Sequence, residues 1–456
     1  MLQPRTFRRR YTSLGLYILF CIARLDASAQ KPLTLRQAID QALGQSPQAA
    51  IAHAGDQEAK SGATMARSQL LPRLDFTEDI SRGDDPVYAF GTRLRQRQFT
   101  QADFALNSLN RPQPIGNFSS RFSGSWTAFD SFKTQREIHR ANLLRASASL
   151  SSQGVDQRIV LDVVRAYQSV LYAQRKIEVA QHVQETAASL STSVDGRVKA
   201  GLAVESDRMS AQVNVAARKE ELIAAEGELD LAWAELREAM GVPDLQALEL
   251  KPIEPHTFSQ LPLGEEIARA VKARPDLMAL VRVQMAQASA VGAARSNFGP
   301  RVSAYGNWEE DRGSLGTSGG SSWVAGAQIS IDILPFGKHA KVEQELAAKQ
   351  KIDAQLSASQ QHVRLEVSQA HIRLRTAKLT LETAQVAMDQ SAESLRILKN
   401  RYSAGLATIT DLLRAEDAER ESRSSYWHAV YGNAVAYAEL LYATGALTPD
   451  AAEDLQ

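Results

Sequence analysis

The stretch RYSAGLATITDLLRA, Arg401 to Ala415, has a counterpart in RVKAGLAVESDRMSA, Arg197 to Ala211. Arg, Ala, Gly, Leu, Ala, Asp and Ala recur at the same relative positions. A match about two hundred residues apart makes internal duplication the first constraint on the fold. In both copies a long helical pattern enters from the N-terminal side and a shorter one leaves, with Gly201 or Gly405 at the break. Glycine tolerates positive φ and commonly ends a helix, so each copy predicts the tip of a helical hairpin. Asp207 and Asp411 then fall in the first turn of the departing helix, where a carboxylate suits the positive end of the dipole.

The entering helices carry the stronger pattern. Val367, Ala370, Leu374, Ala377, Leu381, Ala384, Met388, Ser391, Leu395, Leu398 and Tyr402 alternate at spacings of three and four over about five heptads, a coiled-coil periodicity. Val163, Ala166, Val170, Ala173, Ile177, Ala180, Gln184, Ala187, Ser191, Val194 and Val198 repeat the register, and the recurrent alanine lets helices approach closely. The pattern predicts long helices over about 133–199 and 338–401, each about 100 Å in length at helical rise. Shorter ones follow over about 206–241 and 408–444, and WAELREAMG, Trp233 to Gly241, parallels YAELLYATG, Tyr437 to Gly445.

Each copy also opens alike, with LTLRQAIDQALGQSP from Leu33 to Pro47 and LPLGEEIARAVKARP from Leu261 to Pro275. Thr34 and Gln37 have capping-box spacing. A helix running to Pro72 or Pro300 is expected in each copy. Alternation then replaces helical periodicity. Leu74, Phe76 and Ile80 are interleaved with Asp75, Thr77 and Asp79, and Phe118, Phe122, Trp126 and Ala128 with Arg121, Ser123, Ser125 and Thr127. The second copy has Val302, Ala304, Gly306 and Trp308, then Trp323 to Ile333, in the same manner. These predict strand pairs over about 73–129 and 301–334, apolar on one face and polar on the other, as a barrel wall between lipid and water requires. A sheet on a soluble core shows the same alternation, so this pattern alone leaves both open.

Export favours the barrel. Arg5, Arg8, Arg9 and Arg10, an apolar run from Tyr11 to Ala23 and Ala27-Ser28-Ala29 form a secretory leader, residues 1–29, with cleavage expected after Ala29. Cys21, the one cysteine, lies in that leader behind Phe20, so neither disulfides nor lipidation is expected. No later apolar run reads as long enough to span a bilayer as a helix, so any crossing is expected to use strands. The rest divides into a first repeat (30–250), a Pro-rich connector (251–260), a second repeat (261–445) and an acidic tail (446–456), read as frayed. The loop about 82–117 exceeds the GSLGTSGG turn of the second copy by about two dozen residues, and plugging, recognition and decoration all remain open for it.

These motifs together resemble the TolC-like outer-membrane efflux channel family over essentially the whole mature chain. The resemblance implies a mainly α fold of duplicated long helical hairpins forming a periplasmic tunnel. Four strands per protomer would join a trimeric twelve-stranded outer-membrane β-barrel, which repairs the open edge that a lone four-stranded sheet would leave in lipid. It implies a homotrimer that meets a periplasmic adaptor and an inner-membrane pump or ABC exporter, with outer-membrane lipid around the barrel. Tyr402 and Asp411 match the family's gate tyrosine and pore-lining aspartate. Ala407 and Arg414 depart from its pattern, so Arg414 is expected to temper a single Asp411 ring. Gly201, Leu202, Gly405 and Leu406 match tip positions that the family presents to its adaptor. For Asp411 the plainer reading is a helix N-terminal charge, and for the tips, helix termination.

Other classes fit less well. Fifty-two basic and fifty-two acidic residues leave no basic footprint for nucleic acid. The histidines (His53, His139, His182, His256, His339, His362, His371, His428) are scattered without ligand spacing, so no metal site, cofactor or catalysis is expected. The remaining rival is a structural or adhesive coiled-coil protein of the envelope, which needs the helices but not the amphipathic strands.

Overall fold

The computed structural model describes residues 32–243, 249–252, 258–453 and 455. The leader with Cys21, and His256 with the middle of the connector, lie outside the described residues. Two copies of one unit follow each other. The first comprises α1 (Leu35–Gln45), α2 (Pro47–Ser68), β1 (Arg73–Gly83), β2 (Ile115–Phe129), α5 (Lys133–Lys199) and α6 (Glu205–Met240), with short helices α3 (Pro86–Arg95) and α4 (Leu106–Asn110) between its strands. The second comprises α7 (Leu263–Ala273), α8 (Pro275–Ser296), β3 (Arg301–Arg312), β4 (Gly320–Ser330), α9 (Phe336–Ser403) and α10 (Ile409–Ala443), and α11 (Pro449–Glu453) closes the chain.

Four expectations are corrected. The helix before each strand pair is two helices, because Pro47 and Pro275 hold Ser46 and Arg274 in extended backbone and then start the next helix at its first position. The tail is not frayed: Leu447, Ala452 and Leu455 are fully buried in the main core beside α1 and α5. Strand β4 stops at Ser330, short of Ile331 and Ile333, as the chain turns towards Pro335 and Asp332 pairs with Lys338. In addition, α8 does have the length and apolarity to cross a bilayer. It packs instead between α5 and α9, with Leu277, Ala286, Ala290 and Ala294 buried.

The alternating seam faces inward on both rods. Val367, Ala370, Leu374, Leu381 and Ala384 are buried on α9, as are Val163, Ala166, Val170, Ala173, Ala180, Ala187 and Val194 on α5. Each rod carries its own copy's hairpin partner, and α10 packs on α5 as well as on α9. A second stripe was not foreseen. Leu365, Ile372, Leu379 and Val386 recur every heptad on α9 and stand 53%, 49%, 56% and 54% exposed. Tyr167 pins the main core, its hydroxyl reaching the carbonyls of Leu33 (2.8 Å) and Lys251 (2.9 Å).

All four strands form one antiparallel sheet in the order β1-β2-β3-β4, so the central pairing joins the two repeats and both outer strands keep a free edge. The strands lie at one end of the rods and the glycine tips at the other.

Candidate functional site: a membrane wall and a pair of hairpin tips

The sheet's two faces differ in kind. Register places Phe76, Phe122, Trp308 and Trp323 in one row across all four strands. Their rings meet in turn, Phe76 and Phe122 at 4.8 Å and Phe122 and Trp308 at 5.9 Å between centroids. On one side of this row the face stays apolar through Leu74, Ala325, Trp126, Ala304, Ala327, Val302 and Ile329, about 20 Å along the strand. On the other side comes one polar row, Glu78, Ser120, Glu310 and Ser321, where Ser120 donates to Glu78 and Arg312 donates to Ser120 at 2.5 Å, with Ile80 and Phe118 beyond it. An apolar band edged by aromatics is the surface of a membrane barrel. The opposite face carries Asp75, Thr77, Asp79, Arg121, Asn307, Glu309 and Asp311, with Arg121 donating to Glu309 at 2.8 Å. That face suits water.

At the far end the two tips share one geometry. Gly201 (φ +74°) and Gly405 (φ +76°) adopt the left-handed conformation, and the amides of Leu202 and Leu406 each donate back to Arg197 and Arg401 carbonyls at 2.8 Å. This is the glycine-ended helix stop that the sequence predicts. It leaves Leu202 and Leu406 72% and 69% exposed at the apex.

Tyr402 sits half-buried beside Val194, Ala211 and Ile409, between the hairpins. Arg197 from the other hairpin lies over its ring at 4.9 Å and donates to its carbonyl at 3.1 Å. Burial pushes the Tyr402 phenol up, while Arg197 pulls it down. Sequence reasoning missed Arg197, although it is the first residue of the repeated motif and Arg401 is its counterpart.

Asp411 has a defined local role. Its carboxylate accepts from the Thr408 amide (3.1 Å) and hydroxyl (2.7 Å), and its own amide donates to that hydroxyl, a reciprocal cap on α10. These Thr408 bonds, reinforced by Arg414 and Arg401, hold its carboxyl below the ordinary range. Asp411 and Arg414 are exposed along one groove with Leu398, Arg401 and Leu406. In the first copy Val204 replaces Thr408, so Asp207 has no such cap.

Above the tips, nearly buried Arg218 on α6 bridges to Asp417 on α10 (2.6 Å) and Glu221 (2.7 Å). Burial raises the neighbouring Glu416 carboxyl. Periodicity gave no hint of this link, because contacts between non-sequential helices leave no local pattern.

The described fold and faces define an outer-membrane channel protomer, with rods extending into the periplasm. The outer membrane efflux protein profile matches residues 38–242 and 267–446, and the chain belongs to that family. It is 22% identical over 455 residues to the alkaline protease secretion protein AprF of Pseudomonas aeruginosa, covering 97% of this chain and 90% of that protein. It is 25% identical over 354 residues to the outer membrane protein OprJ of the same organism, covering 73% and 70%. The open-state MtrE outer membrane channel of Neisseria gonorrhoeae superposes with a TM-score of 0.73 at 18% identity, covering 91% of this chain and 90% of that one. The expected fold class is therefore the one found, and the trimeric twelve-stranded barrel is inferred from this likeness together with the two free edges. The family is one of transport channels, which sets aside the adhesive coiled-coil reading.

Proposed function

We propose that three copies form a passive exit duct through the outer membrane, serving a tripartite efflux or type I export system. The observation that carries this is the sheet: one face banded for lipid, the other polar, and both edges unpaired. Backbone groups cannot stay unpaired in hydrocarbon, so β4 of one protomer must meet β1 of the next. The exposed stripe Leu365, Ile372, Leu379 and Val386 supports the same ring lower down. Exposed Met209, Val213, Ile223 and Leu231 of a neighbour's α6 would cover it, as α10 covers α5 within the protomer.

In this reading Tyr402, Asp411 and Arg414 line the periplasmic constriction, and Arg197 holds Tyr402 shut. The tips at Gly201, Leu202, Gly405 and Leu406 meet a periplasmic adaptor, whose pump or ABC exporter supplies the energy. The duct carries small molecules or secreted polypeptides and performs no chemistry. Arg197→Ala, tested in planar bilayers, is expected to raise single-channel conductance by freeing Tyr402 from its cation–π contact. Conductance equal to that of the parent protein would remove the Arg197–Tyr402 contact from the gate.

A further inference from the structure

The two strand hairpins are closed differently. Residues 313–319 join β3 to β4 as a short turn, whereas 84–114 between β1 and β2 hold α3, a 3-10 turn (Gln101–Phe104) and α4. This insertion folds back over the polar face. Gln96, buried, donates to Asn117 Oδ1 (2.9 Å) and the Gly116 carbonyl (2.8 Å), and Asn117 donates to buried Asp311 at 2.6 Å. Tyr88 hydrogen-bonds Ser81 at 2.9 Å, and Arg97 donates to the Ser321 carbonyl at 2.9 Å. With α3 packed on β3 as well, the insertion touches all four strands at their outer ends. A Cβ at Gly320 would lie 1.9 Å from the Arg95 carbonyl, so the end of α3 is seated against the start of β4.

We propose that 84–114 is a lid over the outer mouth of the barrel, a size filter against solutes from outside. The inference rests on the trimeric barrel proposed above. Twelve strands spaced about 4.8 Å apart and tilted about 40° close at a backbone radius of about 12 Å. A helix with its side chains is about 10 Å thick, so three copies of α3 laid on the inner wall leave almost no open cross-section. The side of α3 turned away from the sheet is apolar: Val87 and Leu94, two turns apart, are 81% and 49% exposed. Around a threefold axis these residues face one another, which is where apolar side chains in a water-filled mouth find cover.

The test labels a thiol beneath the lid from outside intact cells. Ser125→Cys places it on the polar face, and the mature chain has no other cysteine. A small methanethiosulfonate is expected to react, and a maleimide on a long polyethylene glycol is not. Replacing 84–114 with the GSLGTSGG turn of the other hairpin admits the long reagent. Gln96→Ala, which keeps the lid but removes two buried hydrogen bonds, raises the long reagent's rate about tenfold; it carries the test alone if the replacement fails to assemble. Equal rates for the long reagent with intact and altered lids overturn the lid while leaving the barrel standing. A thiol that neither reagent reaches in any variant, or a lid-bearing protein that is a monomer in detergent, overturns the barrel reading and the lid with it.

Discussion

Truncating Ile372 and Leu379 to alanine removes the centre of the exposed α9 stripe without touching the buried seam. Fully covering a Leu, Ile or Val side chain contributes about 1.5–3 kcal/mol. Residues 49% and 56% exposed therefore gain about 1 kcal/mol each when a neighbouring protomer covers them. Three interfaces in a closed ring multiply the double substitution to about 6 kcal/mol per trimer. Ile372→Asp with Leu379→Asp should go further, because it leaves charges buried without partners. The assay is the temperature at which the detergent-purified trimer dissociates on a denaturing gel, read beside the helical melt by circular dichroism. The alanine pair lowers trimer dissociation while the protomer keeps its helicity, and the aspartate pair yields monomers. Leu374→Ala, in the buried seam, instead lowers the helical melt itself by about 2–5 kcal/mol. An aspartate pair whose trimer dissociates at the parent temperature would refute the stripe as an interface.

Other expectations concern single positions. Gly201→Ala meets no neighbour but must hold a positive φ, a cost of about 1 kcal/mol in chemical unfolding; Gly241→Ala adds a contact 2.9 Å from the Gln45 carbonyl and costs about 2–4 kcal/mol. Gln168, 1% exposed on α5, has neither amide atom paired among the described residues, so Gln168→Leu should stabilise by about 1–2 kcal/mol in the same assay. Asp411→Ala should weaken the cation preference of the reconstituted channel, and unchanged selectivity and multivalent-cation block would take Asp411 out of the pore. Because the folded Asp411 carboxyl is held low, its charge and its contribution to the cap are fully present above the unfolded value of about 3.9. They are lost only as pH falls through the lower folded value, so Asp411 contributes no change in cation preference from pH 7 to about 5; a change across that window that persists in Glu416→Gln, whose carboxyl burial raises, would contradict the assignment.

What the sequence disclosed follows from which interactions are local. The glycine tips, the inward seam and the face alternation of the strands are each written in spacings of a few residues, and each lies where its spacing puts it. The breaks at Ser46–Pro47 and Arg274–Pro275 were legible in the prolines themselves, since each holds the residue before it in extended backbone and starts a new helix. Arg197 over Tyr402, Arg218 bridging to Asp417 and Gln96 against Asn117 join residues distant in sequence, so no window contains them. The α9 stripe was hidden differently. A single residue every heptad, beside a stronger seam, adds little to a periodicity, and only its exposure in the folded protomer sets it apart.

The duct exists only if copies close one another's sheets. Native mass measurement of the detergent-purified protein, followed by addition of the same fraction to a planar bilayer, tests that directly. A mass of three chains and stepwise ion conductance are predicted. A monomer that remains in solution without detergent and never inserts would contradict it.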